Sequence, residues 1–364
     1  MSSQQPLRRL LGADEHLVSK LASEGLHTVG DIFSKTELQL VQSLDIDRSK
    51  VVKVLDFVAS RIVPEHKTAG SLLRERREAG ASFFVATGLP AIDSALQGGV
   101  PTGMITELVG PAGIGKTQTC LMLAAQACLP ASFGGLGEDA GVVYFDTERK
   151  FSPDRLVEIA KARLPHHYGE FSLTGMERLL NQVTVFTVDN SSALLEQLES
   201  LQTRIIEGNV RLIILDSVAA LARREFARED TMNRQELLTR QAAVLKSLAY
   251  TFSAVVVVTN QVTRGFSSAS SGMQAGSGQK AIASYTNSNS LRESSAFETE
   301  VSGARGESHI IPALGNTWHH CVSNRLILEQ HESHREMHLM KSPLAPAVSC
   351  RFVVRESGLE EVKV

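Results

Sequence analysis

Residues 110–117 read GPAGIGKT, a run with the spacing G-x-x-x-x-G-K-T. This is the spacing of loops that bind the phosphates of nucleoside triphosphates. The residues before it, 104–109, predict a buried strand, and the residues after it, 116–128, predict a helix with an apolar face. The run therefore lies at a helix N-terminus, where free backbone N–H groups and the helix dipole favour an anion. The alternative, a chance glycine-rich turn, leaves this ordered context unexplained.

Four residues of the loop have distinct roles in such a site. Gly113 and Gly115 allow the backbone to wrap a phosphate, because they have no Cβ atom to collide with it. Lys116 can reach the β- and γ-phosphates, and the Thr117 hydroxyl can ligate Mg²⁺.

The composition limits the class of protein. The chain has 364 residues, enough for one large α/β domain and a small one, and its net charge of −3 gives no overall basic surface. No apolar run approaches the ~18 residues of a membrane span, and residues 1–16 have no signal-peptide core. The four cysteines form no C-x-x-C pair and are typical of reduced thiols in an intracellular protein: Cys120, Cys128, Cys321 and Cys350.

The chain divides into three segments by pattern. Residues 1–62 carry short amphipathic stretches and predict a small all-helical domain, with Thr28 and either Ser34 or Thr36 as helix caps. Residues 63–82 are charged and rich in small side chains, which is typical of a linker with a short helix. Residues 83–364 alternate strand and helix patterns and predict an α/β core domain.

The core domain is predicted to contain a mostly parallel twisted sheet with helices on both faces. Short apolar runs suit strands that are buried on both faces, at residues 142–146, 183–186, 211–216 and 254–259. Helical patterns separate these runs, notably at residues 191–207 and 234–252. After residue 310 no helix is expected, and antiparallel strands are predicted at residues 324–330, 335–341 and 350–356.

Acidic and amide side chains end three of the predicted strands. Asp216 closes one of them, where a carboxylate can hold Mg²⁺ through water. Glu148 follows another and could activate the water that attacks the γ-phosphate, although Asp146 could instead simply cap the next helix. Residues 262–309 have almost no helix or strand periodicity and are rich in Ser, Gly and Ala. Gln261 could report the γ-phosphate to this segment, or could be only a polar strand end.

Two charged clusters each allow two interpretations. Residues 221–235 hold four arginines among acids, and charge alone favours a solvated face with internal ion pairs: Arg223, Arg224, Arg228 and Arg234. A later cluster could bind a metal, but no cysteine or fixed ligand spacing supports this: His331, His334 and His338.

The ordered motifs resemble the eukaryotic and archaeal branch of the RecA-type recombinases over essentially the whole chain. These motifs are GPAGIGKTQ, VVYFDTE, FSPDRLVEIA, RLIILDSVAAL, VVVVTNQV, ALGNTWHHCVSNRLIL and KSPLAP. The helical domain in front fits that branch. Three stretches look most like the B-type paralogue: GGL at 134–136, ALGNTWHH at 313–320 and KSPLAP at 341–346.

The resemblance implies a RecA-like ATPase core and a role for each matching residue. Lys116, Glu148 and Gln261 would be catalytic, and Thr117 and Asp216 would hold Mg²⁺. Arg155 would pack on the adenine. ATP would be bound by Gly110, Pro111, Ala112, Gly113, Ile114, Gly115, Lys116, Thr117, Gln118, Arg155, Asp216 and Lys341. DNA-binding loops would span residues 222–235 and 262–309, with phosphate contacts from Arg223, Arg228, Arg234 and Arg264.

Three departures from the family pattern concern assembly and DNA. Residues 66–69, HKTA, stand where strand-exchange recombinases have an F-x-x-A plug for the next subunit, so long self-filaments are not expected. Lys341 stands where filament-forming members have an aspartate, and could bind the γ-phosphate within the chain or across an interface. Residues 44–47, LDID, replace the glycine-rich hairpin of a strong DNA-binding domain.

The resulting expectation is a DNA-dependent ATPase that acts slowly, with ATP and Mg²⁺, in homologous-recombination repair of double-strand breaks. It would be a nuclear accessory subunit in a hetero-oligomer of recombinase paralogues, bind single- and double-stranded DNA, and have no membrane contact. One alternative is a structural paralogue that binds ATP at an interface and hardly hydrolyses it. A third possible function is that of a RecA-core ATPase unrelated to DNA, but the N-terminal helical domain argues against it.

Overall fold

The computed structural model describes residues 5–12, 14–63, 66–78, 83–169, 173–226, 231–264, 310–312 and 314–362. The chain forms two compact units, Met1–Gly80 and Ala81–Val364. Within the described ranges, no helix has the length and apolar character needed to cross a membrane.

The first unit is helical. Its core consists of buried aliphatic side chains that include Leu21, Ile32 and Leu40. Thr28 and Thr36 start two of its helices through reciprocal hydrogen bonds with the third residue of each helix, whereas Ser34 lies at a helix end. The helices are α1 (Leu7–Leu11), α2 (Glu15–Ser23), α3 (Val29–Phe33), α4 (Glu37–Leu44), α5 (Arg48–Ile62) and α6 (Ala69–Glu78).

The second unit alternates strands and helices. In chain order they are β1 (Phe84–Val85), α7 (Pro90–Ala95), β2 (Val100–Pro101), β3 (Ile105–Val109), α8 (Lys116–Ala127), β4 (Gly141–Asp146), α9 (Pro153–Arg163), α10 (Pro165–Tyr168), α11 (Leu173–Gln182), β5 (Val183–Thr187), α12 (Ser191–Glu207), β6 (Val210–Asp216), α13 (Val218–Glu225), α14 (Thr231–Phe252), β7 (Val255–Asn260), β8 (Val262–Arg264), β9 (Ile310–Pro312), α15 (Gly315–Cys321), β10 (Asn324–Gln330), β11 (Arg335–Lys341), β12 (Val348–Arg355) and β13 (Gly358–Val362).

Nine of these strands form one sheet in the order β13-β12-β11-β10-β3-β7-β6-β4-β5. The strands from β10 to β5 pair in parallel, and β10 to β13 pair antiparallel in sequence order. The predicted fold class, a mostly parallel sheet with antiparallel C-terminal strands and a helical region in front, is confirmed.

Two hydrophobic layers cover the faces of this sheet. In β7, Val255 and Val257 pack into the layer that contains α8, while Val256 and Val258 pack into the layer that contains α12 and α14. Since side chains alternate along a strand, a continuous apolar run is what a strand with two buried faces requires.

Two predictions about the sheet and its surroundings are wrong. The helices do not stop at residue 310, because α15 follows, and its Trp318 is buried in the layer of α12 and α14. β5 is not buried on both faces; it is the edge strand, and Val185 is 37% exposed.

A buried ion pair joins β10 to β3 in the middle of the sheet, and hydrogen bonds to the same carboxylate add β7 and α15. Arg325 Nε donates to Glu107 Oε2 at 2.6 Å, and both side chains are at most 5% exposed. Trp318 Nε1 and Asn260 Nδ2 each donate to Glu107 Oε1 at 2.8 Å. Glu107 therefore ties β3 to β7, β10 and α15, and its charge is matched within the protein, as burial demands.

Candidate nucleotide-binding site

The carboxyl ends of four parallel strands meet at one edge of the sheet. Val109 of β3 lies in register beside Asn260 of β7, and Asp146 of β4 lies beside Asp216 of β6. A cleft at this edge is lined by the phosphate loop, the strand ends and β12: Ala112, Gly113, Gly115, Lys116, Thr117, Gln118, Glu148, Lys150, Asp216, Gln261 and Val354. The three residues predicted as catalytic thus share one cleft.

The phosphate loop has the backbone that its glycines allow. Gly113 and Gly115 have φ values of 78° and 126°, which residues with a Cβ rarely adopt. Ile114 between them is buried in the core and anchors the loop. No side chain in the described structure caps the start of α8, so its first backbone N–H groups are available to an anion.

Lys116 is held in the loop that it would serve. Its Nζ atom donates to the carbonyls of Gly110 and Pro111 at 2.7 and 2.9 Å. Burial lowers the pKa of Lys116, while the negative charges of Asp216 and Glu148 oppose that shift. The site therefore places a partly desolvated cation beside the glycine loop, where an anionic phosphate would be strongly attracted.

Asp216 lies at the centre of a set of hydroxyl groups. Its Oδ2 atom accepts hydrogen bonds from Thr117 Oγ1 at 2.7 Å and from Tyr144 Oη at 2.8 Å. Its Oδ1 atom accepts one from Thr259. The Thr117 hydroxyl and the carboxylate form the kind of oxygen pair that Mg²⁺ prefers, so the residues present fit this cation.

Glu148 is a partly exposed carboxylate with three side-chain donors around it. Ser217 Oγ donates to Oε1 at 2.8 Å, Gln261 Nε2 donates to Oε1 at 3.2 Å, and Lys150 donates to Oε2. Burial works against the charge, but these hydrogen bonds outweigh it and lower the pKa of Glu148. The carboxylate is therefore ionised at neutral pH.

Asp146 does not have the helix-capping role that the sequence offered as an alternative. It does not cap α9, whose N-terminal cap is Ser152. Instead its carboxylate accepts hydrogen bonds from the backbone N–H groups of Glu148, Lys150 and Phe151, at 2.8 to 3.2 Å. Asp146 thus fixes the turn that presents Glu148 to the cleft.

Gln261 connects the cleft to α13. Its amide N–H donates to Glu148, and its carbonyl oxygen accepts from Arg223 Nη1 at 2.6 Å. The neighbouring Arg224 instead donates to the backbone carbonyl of Asp189 at 2.9 Å. Of the other predicted DNA contacts, Arg234 is half-buried on α14, Arg228 lies outside the described residues, and Arg264 ends β8 with its side chain outside the described part.

Arg155 lies beside the cleft. Its Nε atom donates to Gln118 Oε1 at 2.7 Å, its Nη2 atom donates to the carbonyl of Arg355 at 2.7 Å, and it pairs with Glu158. These contacts orient the guanidinium next to Gln118, which lines the cleft. The role of Arg155 at the adenine stays a prediction.

Lys341 is not among the residues that line the cleft of this chain. Its Nζ atom donates to the carbonyl of His319, in the last turn of α15, at 2.7 Å and to that of Val322, which follows the helix, at 2.9 Å. A contact with the nucleotide within one chain is therefore not supported, because β11 carries Lys341 away from the phosphate-loop edge. A contact across an interface stays a prediction.

Sequence reasoning missed three residues of this site. Ser217, Lys150 and Tyr144 contact Glu148 or Asp216, yet none was singled out. Ser217 directly follows Asp216, so its position in the chain was an available signal. Tyr144 reads as an ordinary apolar member of a buried strand, and only the register of β4 with β6 brings its hydroxyl to Asp216.

A family model described as Rad51 matches residues 79–312, which is more than half of the chain and holds the whole phosphate loop with Glu148, Asp216 and Gln261. The chain belongs to the Rad51 family. A second model, described as the XRCC3/RpoA-like helix-hairpin-helix domain, matches residues 7–62. Membership of the recombinase family, which the motifs predicted, is confirmed.

Three relatives carry the name DNA repair protein RAD51 homolog 2. The human protein is 36% identical over 356 residues, covering 96% of this chain and 87% of its own. The mouse protein is 36% identical over 364 residues, covering 98% and 97%. The Arabidopsis thaliana protein is 30% identical over 351 residues, covering 96% and 89%. The predicted likeness to the B-type paralogue within the family is therefore confirmed as well.

Proposed function

We propose that this chain is a DNA-dependent ATPase that acts as an accessory recombinase paralogue in homologous-recombination repair of DNA double-strand breaks. The supporting observation is the meeting of Thr117, Asp216 and Glu148 beside a complete phosphate loop. The chain would work in the nucleus as a subunit of a hetero-oligomer. Its relatives are named as DNA repair proteins, which agrees with this role.

The roles of the site residues follow from their contacts. Bound ATP with Mg²⁺ would supply the phosphoanhydride bond that water cleaves. Lys116 would hold the phosphate charge, and Thr117 with Asp216 would hold the cation. Glu148 would take a proton from the attacking water, since it is ionised and lies in the same cleft.

DNA dependence is supported by the connected side chains Glu148, Gln261 and Arg223. Arg223 lies on α13, inside the range predicted as the first DNA-binding loop, and Gln261 precedes the range predicted as the second. An arginine drawn to a DNA phosphate would change its bond with Gln261, and through it the surroundings of Glu148. DNA would in this way alter the environment of the catalytic carboxylate.

One observation favours the second candidate function, a paralogue that binds ATP without appreciable turnover. Lys150, Ser217 and Gln261 all donate to Glu148 and lower its pKa, which makes it a weaker base. The nucleotide would then act mainly to order the DNA-binding loops and the contacts with partners.

ATP turnover by the purified chain, and by its complex with co-expressed paralogues, separates the two candidates. Phosphate release is measured with and without single-stranded DNA, and Glu148→Gln serves as the matched inactive variant. Turnover that DNA stimulates and that Glu148→Gln abolishes supports the ATPase. Saturable ATP binding with turnover no higher than that of the variant supports the binding subunit.

A further inference from the structure

A cluster of imidazole and carboxylate groups lies on the β10–β11 hairpin, outside the nucleotide cleft. Glu329 of β10 lies directly opposite Glu336 of β11. Side chains two residues apart in a strand share a face, so His338 lies on the same face as Glu336. His331 follows Glu329 by two residues, in the turn that a hydrogen bond from the N–H of His331 to the carbonyl of His334 closes at 2.8 Å.

Four atoms of this cluster alternate in a closed ring of nitrogen and oxygen. His331 Nε2 lies 3.7 Å from Glu329 Oε2 and 3.8 Å from Glu336 Oε2. His338 Nε2 lies 3.7 and 3.5 Å from the same two oxygens. A tetrahedral Zn²⁺ ion with bonds of about 2.0–2.1 Å needs ligand atoms about 3.4 Å apart. These four nitrogen–oxygen distances are close to that value, and Glu329, His331 and His338 each offer a ligand atom within 4.8 Å of those of the other two.

The neighbouring side chains orient Glu336 for this role. Its Oε1 atom accepts from Arg351 Nε at 3.0 Å and contacts His334 Nε2 at 2.9 Å, which leaves Oε2 directed at the two histidines. Hydrogen bonds to a ligand from residues that do not bind the metal themselves are typical of metal sites, where they fix the orientation of that ligand.

The cluster has unmet polar requirements without a cation. Glu329 and Glu336 are like charges on directly opposed positions of an antiparallel pair, an arrangement that destabilises a sheet. His338 Nε2 is a buried atom with no hydrogen-bond partner in the described structure. A divalent cation would neutralise both carboxylates and use the nitrogen lone pair of each neutral imidazole.

We propose that Glu329, His331, Glu336 and His338 form a binding site for a divalent transition-metal ion of the Zn²⁺ type, with His334 and Arg351 positioning Glu336. Imidazole ligands select such ions over Mg²⁺, which prefers oxygen ligands alone. The site is distinct from the Thr117–Asp216 pair and does not depend on the function proposed above. A bound metal ion would link β10 to β11 and so stabilise this hairpin.

The test uses the full-length chain, freed of metal with a chelator, and Zn²⁺ itself as the probe. Calorimetric titration should show one saturable Zn²⁺ per chain that Mg²⁺ does not displace. Co²⁺ should bind with the strong visible absorption of a tetrahedral complex. In the His331→Gln/His338→Gln double variant the affinity should fall at least about 100-fold, and in His334→Gln about tenfold.

A matched pair of variants controls for charge and folding. Glu329→Gln removes a proposed ligand, whereas Glu332→Gln removes an exposed carboxylate of the same turn that is not part of the cluster. Glu329→Gln should weaken Zn²⁺ binding and Glu332→Gln should not, with folding checked by circular dichroism. Equal Zn²⁺ affinity in wild type and the double variant, equal loss in the matched pair, or no saturable uptake by the wild type would each overturn the site. If the double variant unfolds, the matched pair decides.

Discussion

The side-chain amide of Gln261 donates a hydrogen bond to Glu148 Oε1 over 3.2 Å. Because Arg223 donates to the other end of the same amide, Gln261 bridges the cleft and α13. Gln261→Asn shortens the side chain and should break one of the two bonds. We expect DNA stimulation of ATP turnover to fall at least about fivefold, with nucleotide affinity unchanged, as for a lost coupling between two sites.

A double-mutant cycle checks that the bridge is the cause. Gln261→Asn and Arg223→Gln should be non-additive, since both remove the same connection. Arg224→Gln is the control, because Arg224 donates to the carbonyl of Asp189 and not to Gln261. If the effect of Arg223→Gln adds to that of Gln261→Asn, as is expected for Arg224→Gln, the hydrogen bond between Arg223 and Gln261 does not couple DNA to ATP turnover.

Lys116→Ala should weaken ATP binding at least about tenfold, the size expected when a charge-assisted hydrogen bond is lost. Lys116 is the cation that the loop carbonyls of Gly110 and Pro111 hold beside the glycines. Titration with a fluorescent nucleotide analogue measures the affinity, and Lys161→Ala on α9 removes an exposed lysine as a control. Unchanged affinity in a folded Lys116→Ala chain would move the nucleotide away from this loop.

Glu148→Gln should leave ATP binding intact and reduce turnover at least about 100-fold, since a carboxamide cannot act as the base. The amide keeps the shape of the carboxylate and can still meet Ser217 and Gln261. Glu138→Gln, at an exposed carboxylate paired with Arg178, is the matched control. Turnover close to that of wild type would leave Glu148 a structural partner of its three donors.

The sequence predicts those features of the fold that local pattern determines. The apolar run of β7 predicts its own burial, because both faces of that strand are covered. The run of β5 has the same character but lies at the sheet edge, and strand order cannot be read from one segment. The helix α15 was missed because GNTWHHC has no apolar periodicity, although its Trp318 is buried in the layer of α12 and α14.

For the site as well, the sequence predicts the residues that a local motif marks and misses the contacts that depend on strand register. Lys116 and Thr117 were identifiable from the fixed spacing of the loop motif, and Asp216 from its place at the end of an apolar strand downstream of that loop. The contact between Tyr144 and Asp216 depends on the register of β4 with β6, and the approach of Glu329 to His338 depends on that of β10 with β11. Neither register is encoded in a single stretch of residues.

Glu107→Ala should destabilise the second unit by about 3–5 kcal/mol, because it leaves Arg325 buried without its partner. Chemical denaturation of the purified chain measures the free energy of unfolding. Glu199→Ala breaks the exposed pair with Arg240 in the same unit and should cost less than about 1 kcal/mol. A small effect at Glu107 would show that Arg325 finds another partner or reaches water.

The chain alone should not form long, regular filaments on DNA, because His66 stands where the resemblance places an aromatic plug. In the structure His66 is exposed and precedes α6, whose start Thr68 stabilises by accepting a hydrogen bond from the N–H of Ser71 at 3.1 Å. An aromatic ring at that position would bury about 150–250 Å² against a neighbouring subunit. An imidazole offers less apolar area, so one specific partner is favoured over indefinite repetition.

His66→Phe tests this restraint, since it restores the apolar ring without changing the helix behind it. We expect self-association to increase, measured by sedimentation and by electron microscopy with ATP and single-stranded DNA. His16→Phe adds the same ring at an exposed position of α2 and controls for general stickiness. Long filaments of the unaltered chain would show that another surface replaces the plug. Equal association of the two variants would show that position 66 has no special part in assembly.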